Sequence, residues 1–122
     1  MTNTEKLVDV ITKGIQEKKG EEIVVVDLRR TEGAITSFFV ICQGNSPIQV
    51  DAIAESVGDM ARIELGEKPV NVNGLETSHW VAMDFVDVIV HIFLPEVRDF
   101  YRLEDLWQDA PLTKITEVSV NE

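Results

Sequence analysis

Apolar positions along the chain follow two rhythms, one of helical spacing and one of continuous or alternating runs. Leu7, Val10, Ile11 and Ile15 recur at helical spacing and form one stripe. Thr2-Asn3-Thr4-Glu5 ahead of them has the capping-box form, a hydroxyl that accepts and a glutamate three residues on that reaches back. Lys18 and Lys19 complement the negative end of the helix dipole, and Gly20 is expected to take the left-handed conformation that ends the helix. Ile23 to Leu28 and Phe38 to Cys42 are runs rich in β-branched and aromatic residues, and predict two strands. The turn Thr31 to Ala34 between them is short, which implies an antiparallel pair.

A second helix starts strongly. Ser46 can cap it, Pro47 suits its first position, and Gln49 stands at the third. Val50, Ile53, Ala54, Val57 and Ala61 supply its inward stripe, and Gly66 with Pro69 ends it. Val70 to Gly74 alternates weakly and predicts a short edge strand. From Pro95 to Trp107 the pattern is helical again, in two short pieces. Val97, Phe100 and Tyr101 share one face there, and Leu103, Leu106 and Trp107 continue it with a phase shift. Beyond Gln108 the apolar pattern thins, so residues 1–112 are expected to form one domain and 113–122 a polar, disordered tail. The order of elements predicts a compact α/β domain on a mixed sheet.

The rest of the chain is organised around the segment from His79 to Phe93, which predicts a hairpin. With Phe85-Val86 as its turn, Asp84 lies opposite Asp87, Ala82 opposite Ile89 and Trp80 opposite His91. Val81 with Val90 and Met83 with Val88 then form the other face, and that aliphatic face is core. Phe85-Val86 lacks the Asn-Gly or Asp-Gly that two-residue turns prefer, so a four-residue connection from Asp84 to Asp87 is the alternative. Facing carboxylates repel, so they are either solvated or near something positive. The mixed face of Trp80, His91, Asp84 and Asp87 is where function could sit.

Composition narrows the classes. The 122 residues suit one domain with one core, and 44% apolar content suits a globular chain. No run approaches the roughly 20 apolar residues of a membrane helix, and Met1 to Lys6 carries no signal-peptide core, so a cytoplasmic protein without membrane contact is expected. A single cysteine, Cys42, excludes an internal disulfide and a multi-cysteine metal site, and its apolar run makes it a buried small hydrophobe. Eleven basic against 22 acidic residues give a net charge of −11, which disfavours direct contact with a phosphate backbone and suits a basic partner.

Two functional classes compete for the same residues. Gly44-x-Ser46 leading from a strand into a helix resembles the nucleotidyltransferase-like architecture, and such loops can hold phosphates. Phosphate transfer would need two or three carboxylates converging on a divalent metal, yet only Asp51 follows, inside a helix. His79 and His91 are expected on strands, with no Cys or Ser in motif context. A binding protein uses the sequence better. Trp, Tyr and Arg dominate contact energetics, and Trp80, Arg98, Tyr101, Arg102 and Trp107 gather in the last third.

Three motifs carry a resemblance. They are Phe38-Phe39-Val40-Ile41-Cys42-x-Gly44-x-Ser46, Trp80-Val81-x-x-Asp84-x-x-Asp87-Val88-x-Val90-His91-x-Phe93, and Arg98-x-Phe100-Tyr101-x-Leu103-Glu104-x-Leu106-Trp107. Over residues 4 to 110 the chain resembles the ribosomal silencing factor family, also called Iojap-like. The resemblance implies a nucleotidyltransferase-like topology without the catalytic carboxylates, and a protein that is not an enzyme. It implies binding to the large ribosomal subunit through ribosomal protein uL14. That binding would block joining of the small subunit and lower translation under nutrient limitation. It also implies frequent homodimers, no cofactor and no metal. The expected contact residues are Trp80, Asp84, Asp87 and His91, with Arg98 and Tyr101 beside them. The family usually has Glu-Gly where Asn73-Gly74 stands, and glycine in the hairpin turn where Val86 stands. The alternative is a nucleotidyltransferase-like enzyme or a nucleotide-binding protein.

Overall fold

The computed structural model describes residues 2–116. Helix α1 (Asn3–Glu17) begins with the expected capping box. Glu5 N–H donates to Thr2 Oγ1 at 3.0 Å, and Thr2 N–H to Glu5 Oε1 at 2.8 Å. Its end differs from expectation: Lys19, with φ 61°, takes the left-handed conformation in place of Gly20. The glycine serves packing instead, since a Cβ there would collide with the side chain of Ile15.

Strands β1 (Glu21–Asp27) and β2 (Phe38–Gln43) pair antiparallel, and helix α2 (Pro47–Leu65) follows. Ser46 caps α2 by accepting from Gln49 N–H at 3.1 Å, and Gly66 closes it with φ 67°. The helices interlock through polar groups, one of them buried, as well as apolar ones. Ser56 Oγ donates to the Gly14 carbonyl at 2.8 Å, and the Gln49 amide donates to the carbonyls of Lys18 and Lys19.

Strands β3 (Asn71–Asn73), β4 (Trp80–Asp84) and β5 (Val88–Phe93) follow, then α3 (Pro95–Tyr101) and a 3-10 turn (Leu103–Trp107). The last two pieces are separate, as the phase shift predicted, because Arg102 between them is left-handed with φ 46°. Strand β6 (Leu112–Ile115) closes a six-stranded mixed sheet of order β3-β4-β5-β2-β1-β6, in which only the central β2–β5 pair is parallel.

The boundary expected at residue 112 is corrected by β6. Residues 113–115 are not a disordered tail but pair antiparallel with β1, Val25 lying across from Thr113. Leu112, Thr113 and Lys114 are exposed, so β6 leaves no apolar rhythm in the sequence. What holds it is main-chain pairing, together with Ile115 against the core. The remainder of the expected tail, 117–122, lies outside the described residues.

Apolar side chains gather on both faces of the sheet. On one face α1 and α2 cover Ile23, Val40, Cys42, Val81, Met83, Val88, Val90 and Ile92. The other face is smaller, built from Val24, Val26, Leu28, Phe39, Ile41 and Phe93, with Trp80, Leu103 and Trp107 packed around them. The parity expected for the hairpin holds, and the aliphatic face is core. The pairing itself is shifted by two residues: Trp80 faces Phe93, Ala82 faces His91 and Asp84 faces Ile89. An even shift preserves faces while changing partners.

A candidate partner-binding face

The shifted pairing follows from the turn. Phe85 N–H donates to the Val88 carbonyl at 2.8 Å, so Val86 and Asp87 form the loop. Val86 sits at φ 77°, where a β-branched side chain is strained and glycine is not. Asp84 Oδ1 accepts from Val86 N–H at 2.7 Å, and Thr36 Oγ1 donates to the Val86 carbonyl at 3.0 Å. Clamped from both sides, the turn holds its strained residue. Asp84 and Asp87 therefore do not face each other across the hairpin. Asp84 is half-buried beside the turn and Asp87 is exposed at its tip.

At the other end of β4 an aromatic ledge is assembled. The ring of Trp80 stacks on Phe93 at 4.8 Å and meets Tyr101 at 4.9 Å, while Phe100 packs edge-on against Tyr101 at 5.0 Å. Trp80 is half-buried, Tyr101 is exposed, and Phe100 is 79% exposed. Gly74 makes room for this end of the strand, since a Cβ there would collide with the Trp80 carbonyl. Trp80, Ala82 and Asp84 alternate onto the same face, so the ledge continues toward the hairpin for about 13 Å, four residues of strand rise.

Phe100 and Tyr101 share a face, as the helical spacing predicts, but both rings are exposed while Val97 packs against the core. Phe100 lies about 200° around the helix from Arg98, and Arg98 is the residue that turns inward.

Arg98, named among the expected contact residues, is turned into the scaffold. It is only 8% exposed. Its Nε and Nη2 donate to Glu104 Oε2 at 3.0 and 2.7 Å, and its Nη1 donates to the Glu22 carbonyl at 2.7 Å and Gln43 Oε1 at 3.2 Å. One guanidinium thus ties α3 to β1, β2 and the 3-10 turn. The signal for this role is absent locally, since Glu22 and Gln43 come from far along the chain.

His91 is also buried, at 8% exposure. Trp80 Nε1–H donates to its Nδ1 at 3.1 Å, and the Phe39 ring meets it edge-on at 5.0 Å. Burial pushes its pKa down to about 4. The imidazole is therefore neutral at physiological pH. His79, expected on a strand, lies in the exposed bend before β4. Trp107 packs edge-on to Phe39 at 6.0 Å, inside the second cluster.

In the Gly44 to Ser46 loop the chain itself occupies the first two backbone donors and the Ser46 hydroxyl. Gly44 N–H donates to the Phe93 carbonyl at 2.9 Å, Asn45 N–H to Gln49 Oε1 at 2.7 Å, and Gln49 N–H to Ser46. These amides face protein acceptors, not a phosphate. Asp51 is exposed on α2, and among the described residues no group of three or more His, Cys, Asp or Glu side chains is arranged to hold a metal ion. Cys42 is fully buried, and desolvation pushes its thiol pKa up to about 12. No described helix is long and apolar enough to cross a membrane.

Comparison with known proteins places these features in a family. Residues 1–122 match the family described as ribosomal silencing factor during starvation. A ribosomal silencing factor of Halalkalibacterium halodurans is 37% identical over 118 residues, spanning 97% of this chain and 98% of its own length. One from Bacillus subtilis is 34% identical over 113 residues, spanning 93% and 94%. A crystal structure of a Chromobacterium violaceum protein matches with a TM-score of 0.82 at 28% identity, over 98% of this chain and 95% of that one. An α/β fold built on a six-stranded mixed sheet, with a sequence similar to these relatives along nearly its whole length, identifies the chain as a member of the ribosomal silencing factor family.

Proposed function

We propose that this protein is a translational repressor that binds the large ribosomal subunit through ribosomal protein uL14. By occupying that surface it blocks joining of the small subunit and lowers translation when nutrients are limiting. The relatives are named as silencing factors, a regulatory rather than a catalytic role.

The observation that carries the reading is the ledge of Trp80, Tyr101 and Phe100, left open at one end of a face that ends in Asp84. Rigid aromatic rings give contact area at low entropic cost, and they dominate binding energy where they are desolvated by a partner. Asp84 and the exposed Asp87 place part of the chain's net charge of −11 beside the ledge, which favours encounter with a basic ribosomal protein. The proposed contact residues are Trp80, Tyr101, Phe100, Asp84 and Asp87. Arg98 and His91 lie beneath them.

Subunit joining is the direct test. Purified small and large subunits are mixed with magnesium, with and without the protein, and resolved on a sucrose gradient. The reading expects free large subunits carrying the protein and a reduced joined peak. An unchanged joined peak at saturating protein overturns it. Sedimentation velocity on the free protein reads the homodimer that the resemblance implies.

A further inference from the structure

We propose that His91 is a positioning residue, which acts on the partner only through Trp80 by fixing the indole at the edge of the aromatic ledge. The inference rests on the binding reading above and assigns His91 a role other than contact.

The bond defines its own chemistry. An indole N–H can only donate, so the 3.1 Å contact requires Nδ1 of His91 to be an acceptor without a proton. The neutral ring then carries its proton on Nε2. That atom is buried and has no hydrogen-bond partner among the described residues, an arrangement that opposes folding. The surroundings are apolar: Phe39 meets the ring edge-on at 5.0 Å, Phe93 stacks at 6.0 Å, and Ile41 is its partner on β2. An aliphatic side chain would suit these walls and remove the Nε2 orphan, but it would take the acceptor from the Trp80 indole. Among the described residues, the polar contact that the His91 side chain makes is the one to Trp80.

What the histidine supplies is an acceptor beneath the ledge. Trp80 is stacked on Phe93 from one side and meets Tyr101, but stacking permits a ring to slide and turn in its plane. The hydrogen bond to Nδ1 removes that freedom, so the ring meets the partner already ordered. Preorganisation of this kind reduces the entropic cost of binding.

Two variants and one wild-type measurement test the proposal. His91→Leu keeps apolar volume and removes the acceptor. His91→Asn places an oxygen on the same Cγ that carries Nδ1. In ¹⁵N-labelled protein, the Trp80 indole resonance, assigned with Trp80→Phe, should move in His91→Leu and return toward its place in His91→Asn. Affinity for purified large subunits should fall about tenfold in His91→Leu and recover to within about threefold in His91→Asn. The wild-type His91 nitrogens should report the Nε2-protonated tautomer, a readout that needs no variant to fold. A Nδ1-protonated ring, an unmoved indole, or His91→Leu binding as wild type each overturn the inference while leaving the repressor reading intact. Wild-type protein that fails to bind large subunits overturns both.

Discussion

The indole of Trp80 lies nearly parallel to the ring of Phe93, its partner across the β4–β5 pair, with centroids 4.8 Å apart and planes 29° apart. Half-buried in this stack, Trp80 serves packing and surface together. Full truncation of a buried tryptophan costs about 3–5 kcal/mol, so Trp80→Ala should cost about 2 kcal/mol, since part of the ring is already in water. Urea unfolding of the variant reads this number. Loss of 4 kcal/mol or more would make Trp80 a core residue and leave Tyr101 and Phe100 as the ledge.

Val86→Gly should stabilise the protein. A non-glycine residue in the left-handed region costs about 1–2 kcal/mol, and Val86 loses little burial because it is 57% exposed. Glycine's extra freedom in the unfolded chain offsets part of the gain, which leaves about 0.5–1 kcal/mol. The midpoint of thermal unfolding should rise by a few degrees. A fall would show that the valine side chain contributes a contact that outweighs its backbone strain.

What the sequence disclosed and what it hid divide along the same line as local and long-range chemistry. Thr2 with Glu5 and Ser46 with Gln49 mark helix starts because a cap is completed within a few residues. The hairpin's faces were legible because alternation survives a two-residue slip. Its partners were not, because the register depends on Val86 adopting a conformation that valine disfavours. Strand β6 was invisible, being held by hydrogen bonds to β1 and not by an apolar pattern. Arg98 and Phe100 reverse the usual expectation, a cation inside and a phenyl ring outside. Two of the groups that hold Arg98 belong to Glu22 and Gln43, at separations no local window spans.

Arg98→Lys should not rescue Arg98→Ala. The guanidinium serves Glu104, Gln43 and the Glu22 carbonyl at once, and an ammonium cannot reproduce that fork. Removing it leaves a half-buried carboxylate and a carbonyl unpaired, at a cost of about 3 kcal/mol. Chemical denaturation of both variants checks this, and a lysine variant as stable as wild type would contradict it.

Stability should fall with acid through His91. Its pKa is near 6.5 when unfolded and is depressed to about 4 by burial, so below pH 6.5 the unfolded chain binds the proton first. The penalty for keeping the ring neutral is absent above pH 6.5 and grows as pH falls toward 4. The loss is up to about 3 kcal/mol. Urea midpoints from pH 7.5 to 4 should decline less steeply in His91→Leu than in wild type. Parallel declines would mean that His91 is not what titrates.

The central claim is that the open aromatic ledge binds the large subunit, and Phe100→Glu tests it most directly. Phe100 is 79% exposed, so the change should leave the melting temperature within a degree or so of wild type, as for most surface substitutions. Co-sedimentation with purified large subunits, at matched protein and salt concentrations, is the measurement. The account predicts that wild type pellets with the subunits while folded Phe100→Glu stays in the supernatant. Equal pelleting of the two proteins would contradict it.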